Sequence, residues 1–310
     1  MTWRAKSRSK GKVFAIVGPT ASGKTALSMA VAPLLGAEIV SIDSAAIYRG
    51  MDVATAKPTL AERQQIPHHM IDIAEVGETV TVAQFQMLAR QCIADIEGRG
   101  ATPLLVGGSG LYFRAVVDPL KFPGTDARVR SELESEAQAL GGVALHERLV
   151  KLDPEAAGRI EVANVRRVVR ALEVISMTGT RFSAFRDAWD VHESIYDLSV
   201  VGLRVDREEL DRRINARVDE YVAGGILDEV RALDADGLRR STTSVQALGY
   251  AQSLAFLDGH LTFEEAVDEI KRRTRKFARR QVTWFNQDPR IQWFDDAGSA
   301  QSWLIERASH

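Results

Sequence analysis

Val13–Val17 is a short apolar, β-branched run that leads directly into glycine-rich Gly18–Gly23. From Lys24 the residues Ala26, Leu27, Ala30, Val31, Leu34 and Leu35 recur at helical spacing until Gly36. This pattern predicts a strand, a tight loop and a helix in direct succession. Glu38–Ile42 reads as a second strand ending at Asp43 and Ser44, and His69–Ile73 as a weaker third. Val82–Ile96 has helical periodicity, and Pro103–Val106 is a buried-type strand halted by Gly107-Gly108-Ser109. Strands alternating with helices in this order imply βαβ units and a parallel sheet.

After Pro119 the pattern changes. Asp126–Leu140, Leu145–Leu152, Pro154–Ile160 and Asn164–Met177 are all helical, with no strand between them. This divides the chain into a core over 1–118, an all-helical insertion over 119–190 and a second part of the core over 191–310. The loops Pro119–Thr125 and Trp189–Glu193 bound the insertion. Ile195–Val205 returns to strand composition, and helices are expected from Arg207, Gly225, Ser244 and Thr262. The last of these is long and basic and is taken as the C-terminal helix, with Ile291–Phe294 as a final edge strand. No internal repeat or low-complexity tract interrupts the pattern.

With 310 residues, 45% of them apolar, the chain is long enough for a full core carrying a smaller second domain. No stretch approaches the roughly 18 uncharged apolar residues that a membrane span needs. The basic, acid-free start (Arg4, Lys6, Arg8, Lys10, Lys12) reads as a short tail, because a strand rather than a signal-like apolar run follows it. Cys92 is the only cysteine, so an internal disulfide or a cysteine-based zinc site is excluded and a reducing cytoplasm is expected. The histidines show no metal-ligand spacing. Net charge is only −2, yet Lys271–Arg280 holds seven cations and no acid. Further clusters stand at Arg166, Arg167 and Arg170, at Arg212, Arg213 and Arg217, and at Arg239 and Arg240. Local basic surface on an acidic protein marks a candidate polyanion site, though on a terminal helix it can equally be a solvated face.

Gly18-Pro19-Thr20-Ala21-Ser22-Gly23-Lys24-Thr25 matches the phosphate-loop pattern in full, between a strand and a helix. Its glycines let backbone N–H groups turn toward phosphate oxygens at the positive end of the helix dipole. Lys24 supplies a cation, and the Thr25 hydroxyl can reach Mg²⁺. The fold class implied is α/β: a P-loop NTPase-like parallel sheet flanked by helices, with an all-helical insertion domain. A kinase reading wants an acid at a neighbouring strand end. The strand Pro103–Val106 ends in glycines, which leaves only Asp72 on the weaker strand. Asp43 and Ser109 stand where ligands of open α/β sheets bind. Each could also be a simple cap or turn residue.

Several motifs extend this pattern. They are Asp43–Tyr48, Gly50-Met51-Asp52, Thr55-Ala56-Lys57-Pro58, Pro67-His68-His69 with Asp72, and Leu104–Tyr112. Arg170-Ala171-Leu172-Glu173, Gly249-Tyr250 and Arg279-Arg280-Gln281 with Thr283-Trp284-Phe285 complete the series. With Gly18–Thr25 they run in family order across nearly the whole chain, which thereby resembles the tRNA dimethylallyltransferase family. Two departures stand out. Ser109 replaces a common threonine, keeping the hydroxyl but losing the methyl that fixes its rotamer. Val162-Ala163-Asn164-Val165 replaces a usual Asn-Asp.

The resemblance implies transfer of a dimethylallyl group from dimethylallyl diphosphate to N6 of the adenosine 3′-adjacent to the anticodon. The tRNAs are those reading codons that begin with U, and the products are N6-(dimethylallyl)adenosine and diphosphate. It implies Asp43 as base and Ser109 as orienting hydroxyl. Gly18, Pro19, Thr20, Ala21, Ser22, Gly23, Lys24, Thr25 and Arg217 hold the diphosphate, with Mg²⁺ at Thr25. The tRNA anticodon loop is met by Asp43, Ser44, Ala45, Ala46, Ser109, Arg130, Arg166, Arg167, Val168, Val169 and Arg170. Gln246, Gly249, Tyr250, Arg275, Arg279 and Arg280 extend that surface. The implied enzyme is a cytoplasmic monomer with no membrane partner, and Phe277 and Trp284 pack into the core. Two other readings stay open here: a small-molecule or nucleoside kinase using ATP, and a non-catalytic RNA-binding protein.

Overall fold

The computed structural model describes residues 11–309 except 56, 186–188 and 190. The basic residues Arg4, Lys6, Arg8 and Lys10, with Ala56 and Asp190, lie outside the described residues. The chain runs β1 (Lys12–Val17), α1 (Lys24–Leu35), β2 (Ala37–Ser41), α2 (Leu60–Gln65), β3 (His68–His69), α3 (Val82–Gly98), β4 (Thr102–Gly107) and α4 (Gly110–Val117). Next come α5 (Ala127–Leu152), α6 (Pro154–Ala157) and α7 (Val165–Thr178). Then follow β5 (Asp197–Leu203), α8 (Arg207–Ala223), α9 (Ile226–Ala235), α10 (Tyr250–Leu257), α11 (Phe263–Phe285), β6 (Ile291–Phe294) and α12 (Ala297–Ala308).

The strands form one parallel six-stranded sheet in the order β3-β2-β4-β1-β5-β6. β1 lies near its centre, and the two-residue period of a strand sorts its side chains cleanly. Val13, Ala15 and Val17 enter one core; Phe14 and Ile16 enter the other. A strand covered on both faces must be apolar throughout, which is why the run lacks alternation. Val17 pairs with Gly107 and Ser41 with Val106, so β1, β2 and β4 end side by side. The phosphate loop, Asp43 and Ser109 follow from those three ends.

Four expectations are corrected. The third strand stops at His69, because Met70 and Asp72 adopt φ of 61° and 56°, which no strand accommodates. The segment from Ser244 makes a single 3₁₀ turn, and its α-helix begins only at Tyr250, after Gly249 with φ of 90°. The basic helix α11 is not C-terminal: α12 follows β6, burying Ala300 and Leu304 in the second core. Trp284 is exposed rather than buried.

The chain divides into two compact units, one of residues up to Val117 and from Ser194 onward, the other Asp118–Glu193. Among its described residues the second unit contains helices and loops but no strand, and it has its own core around Leu145, Leu149, Val168 and Leu172. Gly141, with φ of 84°, breaks α5 between its two helical segments.

Candidate active site

Loop geometry follows from the residue types in Gly18–Thr25. Gly18 has φ of 141°, and a side chain there would crowd the Leu203 carbonyl oxygen at 3.3 Å. Ala21 also holds a positive φ, 62°, a conformation costing roughly 1–2 kcal/mol for a residue with a Cβ. Its methyl packs against Leu210 and Ile214 of α8 and Ala278 of α11, which brace the loop from outside. Gly23 turns the chain into α1, whose first turn carries no acid and no side-chain cap. Those helix N–H groups are left for an anion.

Two cations face the loop. Lys24 Nζ donates to the Pro19 carbonyl at 2.6 Å, and Arg217 Nη1 to Thr20 Oγ1 at 3.3 Å. Burial, reinforced by the Arg217 charge and only partly offset by Asp43, brings the Lys24 ammonium down to about 7. A site that disfavours its own lysine charge is built to receive a polyanion. Ser22 Oγ is buried beside it with no hydrogen-bond partner.

The donor set suits Mg²⁺ held mainly by substrate. The exposed Thr25 hydroxyl stands at the start of α1, while its carbonyl accepts from Ser28 Oγ at 2.8 Å. Mg²⁺ characteristically takes few protein oxygens and keeps several waters, so a single protein hydroxyl fits such an ion. Asp72 does not serve as a metal acid: Lys57 binds one of its oxygens and Arg63 the other, at 2.7 Å. Among the described residues no three His, Cys, Asp or Glu side chains cluster as a metal site.

Asp43 extends β2 by two residues. The Ile42 N–H donates to the Val106 carbonyl at 2.9 Å, continuing the β2–β4 ladder. A Cβ on Gly107 would come within 2.9 Å of the Ile42 carbonyl, so this close approach demands glycine. Asp43 Oδ1 accepts from the N–H groups of Ala45 at 2.8 Å and Ala46 at 3.3 Å, an Asx-turn. One carboxylate oxygen thus fixes the side chain, while Oδ2 makes no hydrogen bond to a described residue. Burial, with Tyr48 and Asp43 nearby, pushes the Tyr112 phenol up to about 12. Burial also raises Tyr221, against the opposing Arg217 charge, which lies 5.5 Å from its ring centroid. Asp43, Lys24, Arg217, Tyr112 and Tyr221 are therefore one electrostatic neighbourhood. Ser109 caps α4, its Oγ accepting the Tyr112 N–H at 3.4 Å.

The periodicity of the sequence does not disclose Tyr112, Tyr221 or Gln281 as site residues. Gln281 Oε1 accepts the Thr20 N–H at 2.9 Å, and its Nε2 donates to the Gly108 carbonyl at 2.8 Å. The signal was present: a glutamine on the buried face of α11, alongside Ala278 and Phe285.

The expected tRNA-facing residues separate into two groups. Ser44, Gln246, Arg166, Arg167 and Arg280 are exposed. Ala46, Val168, Val169 and Tyr250 are buried. Gly249 is buried too, and Ala45 only partly exposed. Tyr250 instead donates to Glu229, whose other oxygen accepts the N–H groups of Asp52 and Val53. Arg130 and Arg170 both bind the fully buried Glu173, at 2.7 and 2.8 Å, and Arg170 also donates to the carbonyls of Pro123 and Gly124.

On α11 most cations are already paired. Lys271 meets Asp219, Arg275 meets Asn215 and Arg279 meets Asp211, an antiparallel ladder at four-residue steps along α8. Arg272 and Arg273 bind Glu269. Lys276 and Arg280 are exposed and pair with no acid among the described residues.

The IPP transferase family matches residues 46–288. A tRNA dimethylallyltransferase of Thermobifida fusca is 52% identical over 286 residues, covering 91% of this chain and 89% of its own. One from a Nocardioides species is 48% identical, covering 98% and 96%. Among solved structures, a tRNA isopentenylpyrophosphate transferase of Bacillus halodurans is 42% identical, with 97% and 98% coverage and a TM-score of 0.71. A eukaryotic dimethylallyltransferase described as acting on tRNA is 27% identical, covering 96% and 77%, with a TM-score of 0.79. By sequence and by fold, the chain belongs to the tRNA dimethylallyltransferase family.

Proposed function

We propose that this chain transfers a dimethylallyl group from dimethylallyl diphosphate to the exocyclic N6 of the adenosine 3′-adjacent to the anticodon in tRNAs reading codons that begin with U. The observation that carries the reading is that β1, β2 and β4 end side by side, bringing the phosphate loop with its bonded cations Lys24 and Arg217 next to Asp43 and Ser109. A kinase would need its acid on a metal, and the one sequence candidate, Asp72, is held in two ion pairs.

In the reaction, N6 attacks the allylic C1 as the C1–O bond to diphosphate breaks. The bonding pair leaves with the diphosphate, where charge grows, and the allyl carbon gains cationic character. Loop N–H groups, Lys24 and Arg217 stabilise that leaving charge in a partly dry site. Thr25 would help to hold a Mg²⁺ ion, which would supply further neutralisation of the same charge. The free Oδ2 of Asp43 accepts the N6 proton, while Oδ1 keeps its turn bonds. Ser109, at the neighbouring strand end, orients the acceptor. A stacked adenine cannot reach a buried carbon, so the nucleotide leaves its loop and enters the site flipped. The enzyme acts in the cytoplasm, in keeping with its lone thiol.

The test is incubation with unmodified tRNA and isotopically labelled dimethylallyl diphosphate, alongside labelled ATP. Label in the RNA is the expected result. Phosphate passing from ATP to a small acceptor, with no label in RNA, would overturn the reading.

A further inference from the structure

Gln281 joins two parts of the site by hydrogen bonds. Its carbonyl oxygen takes the N–H of Thr20 in the phosphate loop, and its amide N–H grips the carbonyl of Gly108, immediately before Ser109. The side chain is buried, and both heads of the amide are satisfied. The same face of α11 carries Trp284, one turn on, whose indole covers Gly110 so closely that no Cβ would fit there. A Cβ on Gly108 would overlap the Gln281 amide and come within 3.1 Å of the Gly18 carbonyl oxygen. The segments that follow β1 and β4 are therefore in direct contact, and the glutamine spans the seam.

We infer that Gln281 is a positioning residue for the transfer: it sets the separation between the leaving diphosphate and the acceptor nucleotide. The inference rests on the function proposed above. The amide acts by its two opposite polarities. Thr20 presents a donor and Gly108 an acceptor, and only a side chain with an acceptor and a donor on one rigid planar group ties them together. Thr20 is also the residue whose hydroxyl receives Arg217, so the clamp holds one diphosphate-binding cation in place through its partner. An ångström of slack between reacting groups lowers turnover by about 10²-fold.

Steady-state kinetics of Gln281→Met and Gln281→Glu, with wild type in parallel, test this. Gln281→Met keeps the volume and loses both bonds. It should lower kcat by about 10²-fold, while KM for the prenyl donor and Kd for tRNA change by less than roughly threefold, since neither substrate is bound by the clamp alone. Gln281→Glu gives a readout that a merely structural role would not move. When ionised, the introduced carboxylate repels the Gly108 carbonyl; when protonated, it reproduces the amide's donor and acceptor. Its activity relative to wild type should therefore rise as pH falls from 8 to 6. Gly108→Ala breaks the clamp from the other side and should be strongly non-additive with Gln281→Met.

A kcat within threefold of wild type in Gln281→Met, or a loss falling wholly on KM, would overturn the inference. If Gln281→Met does not fold, a flat activity ratio across pH for Gln281→Glu overturns it instead. A wild-type chain that puts no label into tRNA sinks the proposed function and the clamp with it. An active wild type with indifferent variants sinks the clamp alone.

Discussion

Single residues in this site do two jobs at once, and the geometry shows how to separate them. Asp43 holds an Asx-turn with one oxygen and leaves the other for a proton. Asp43→Asn retains the turn acceptor and loses the base, so turnover should fall by about 10²–10⁴ with tRNA and diphosphate binding nearly intact. Asp43→Ala removes the turn as well and should be no more active. Wild-type turnover in Asp43→Asn would show that the carboxylate is only a turn residue. Lys24 gives a prediction of opposite sign. Its ammonium titrates at about 7 in the free protein because burial and Arg217 disfavour the charge. A bound diphosphate supplies opposite charge and raises that value, so the complex binds more protons than the free chain above pH 7. Affinity for inorganic diphosphate should therefore weaken as pH rises from 7 to 9. Titration calorimetry at pH 8, in buffers of different protonation enthalpy, should show proton uptake in wild type beyond that of Lys24→Met. Equal uptake in the two would reject the assignment.

At the scale of elements, local patterns were legible and long-range pairing was not. The β1 run, the loop and α1 could be read because strand burial, glycine conformation and helical periodicity are all local. The third strand was overdrawn, since nothing in the apolar residues Met70 and Ile73 announces positive φ at Met70 and Asp72. α12 was missed because only Ala300 and Leu304 are buried along it. Seven cations with no acid among them suggested a nucleic-acid surface. Three of them find partners, Asp211, Asn215 and Asp219, on α8 about sixty positions earlier, and only the folded helix pair brings them together. Two classes of arginine and lysine on α11 should accordingly behave differently. Neutralising Arg275 and Arg279 should lower stability, by about 0.5–1.5 kcal/mol for the hydrogen bond to Asn215 and about 0.2–1 kcal/mol for the exposed pair with Asp211, and leave the salt dependence of tRNA binding nearly unchanged. Neutralising Lys276 and Arg280 should leave stability alone and reduce the slope of log K against log salt by about 1.4, or roughly 0.7 for each single-strand phosphate contact. Binding measured from 50 to 200 mM salt distinguishes them, and equal slopes in both pairs would return the whole helix to a solvated face.

For the molecule as a whole, two compact units raise the question of what each unit's stability depends on. In the helical unit the answer is a buried charge. Burial alone would raise the carboxyl of Glu173, but Arg130, Arg170 and the Asp126 N–H together hold it below the ordinary carboxylate range. Its folded value is thus lower than its unfolded one, so it adds stability that is fully present above about pH 4.5 and is lost as pH falls through the folded value. The three partners are unequal, since the carboxylate is fully buried whereas both guanidinium groups reach solvent. Removing the carboxylate leaves cations that water can still hydrate. Removing both arginines strands a buried anion, the costlier fault. Glu173→Gln should therefore destabilise by about 1–3 kcal/mol, and Arg130→Ala with Arg170→Ala by more. The stability difference between wild type and Glu173→Gln should shrink as pH drops from 6 toward 3.5. Denaturant unfolding with hydrogen exchange resolved to 118–193 reads these changes. Inorganic diphosphate at a hundredfold excess over its Kd should instead protect the sheet-containing unit, by about 2.7 kcal/mol. A wild-type advantage that instead grows as pH drops from 6 would mean that Glu173 is protonated in the native unit. The resemblance motif Arg170–Glu173 would then be a neutral hydrogen-bonded cluster rather than an ion triad.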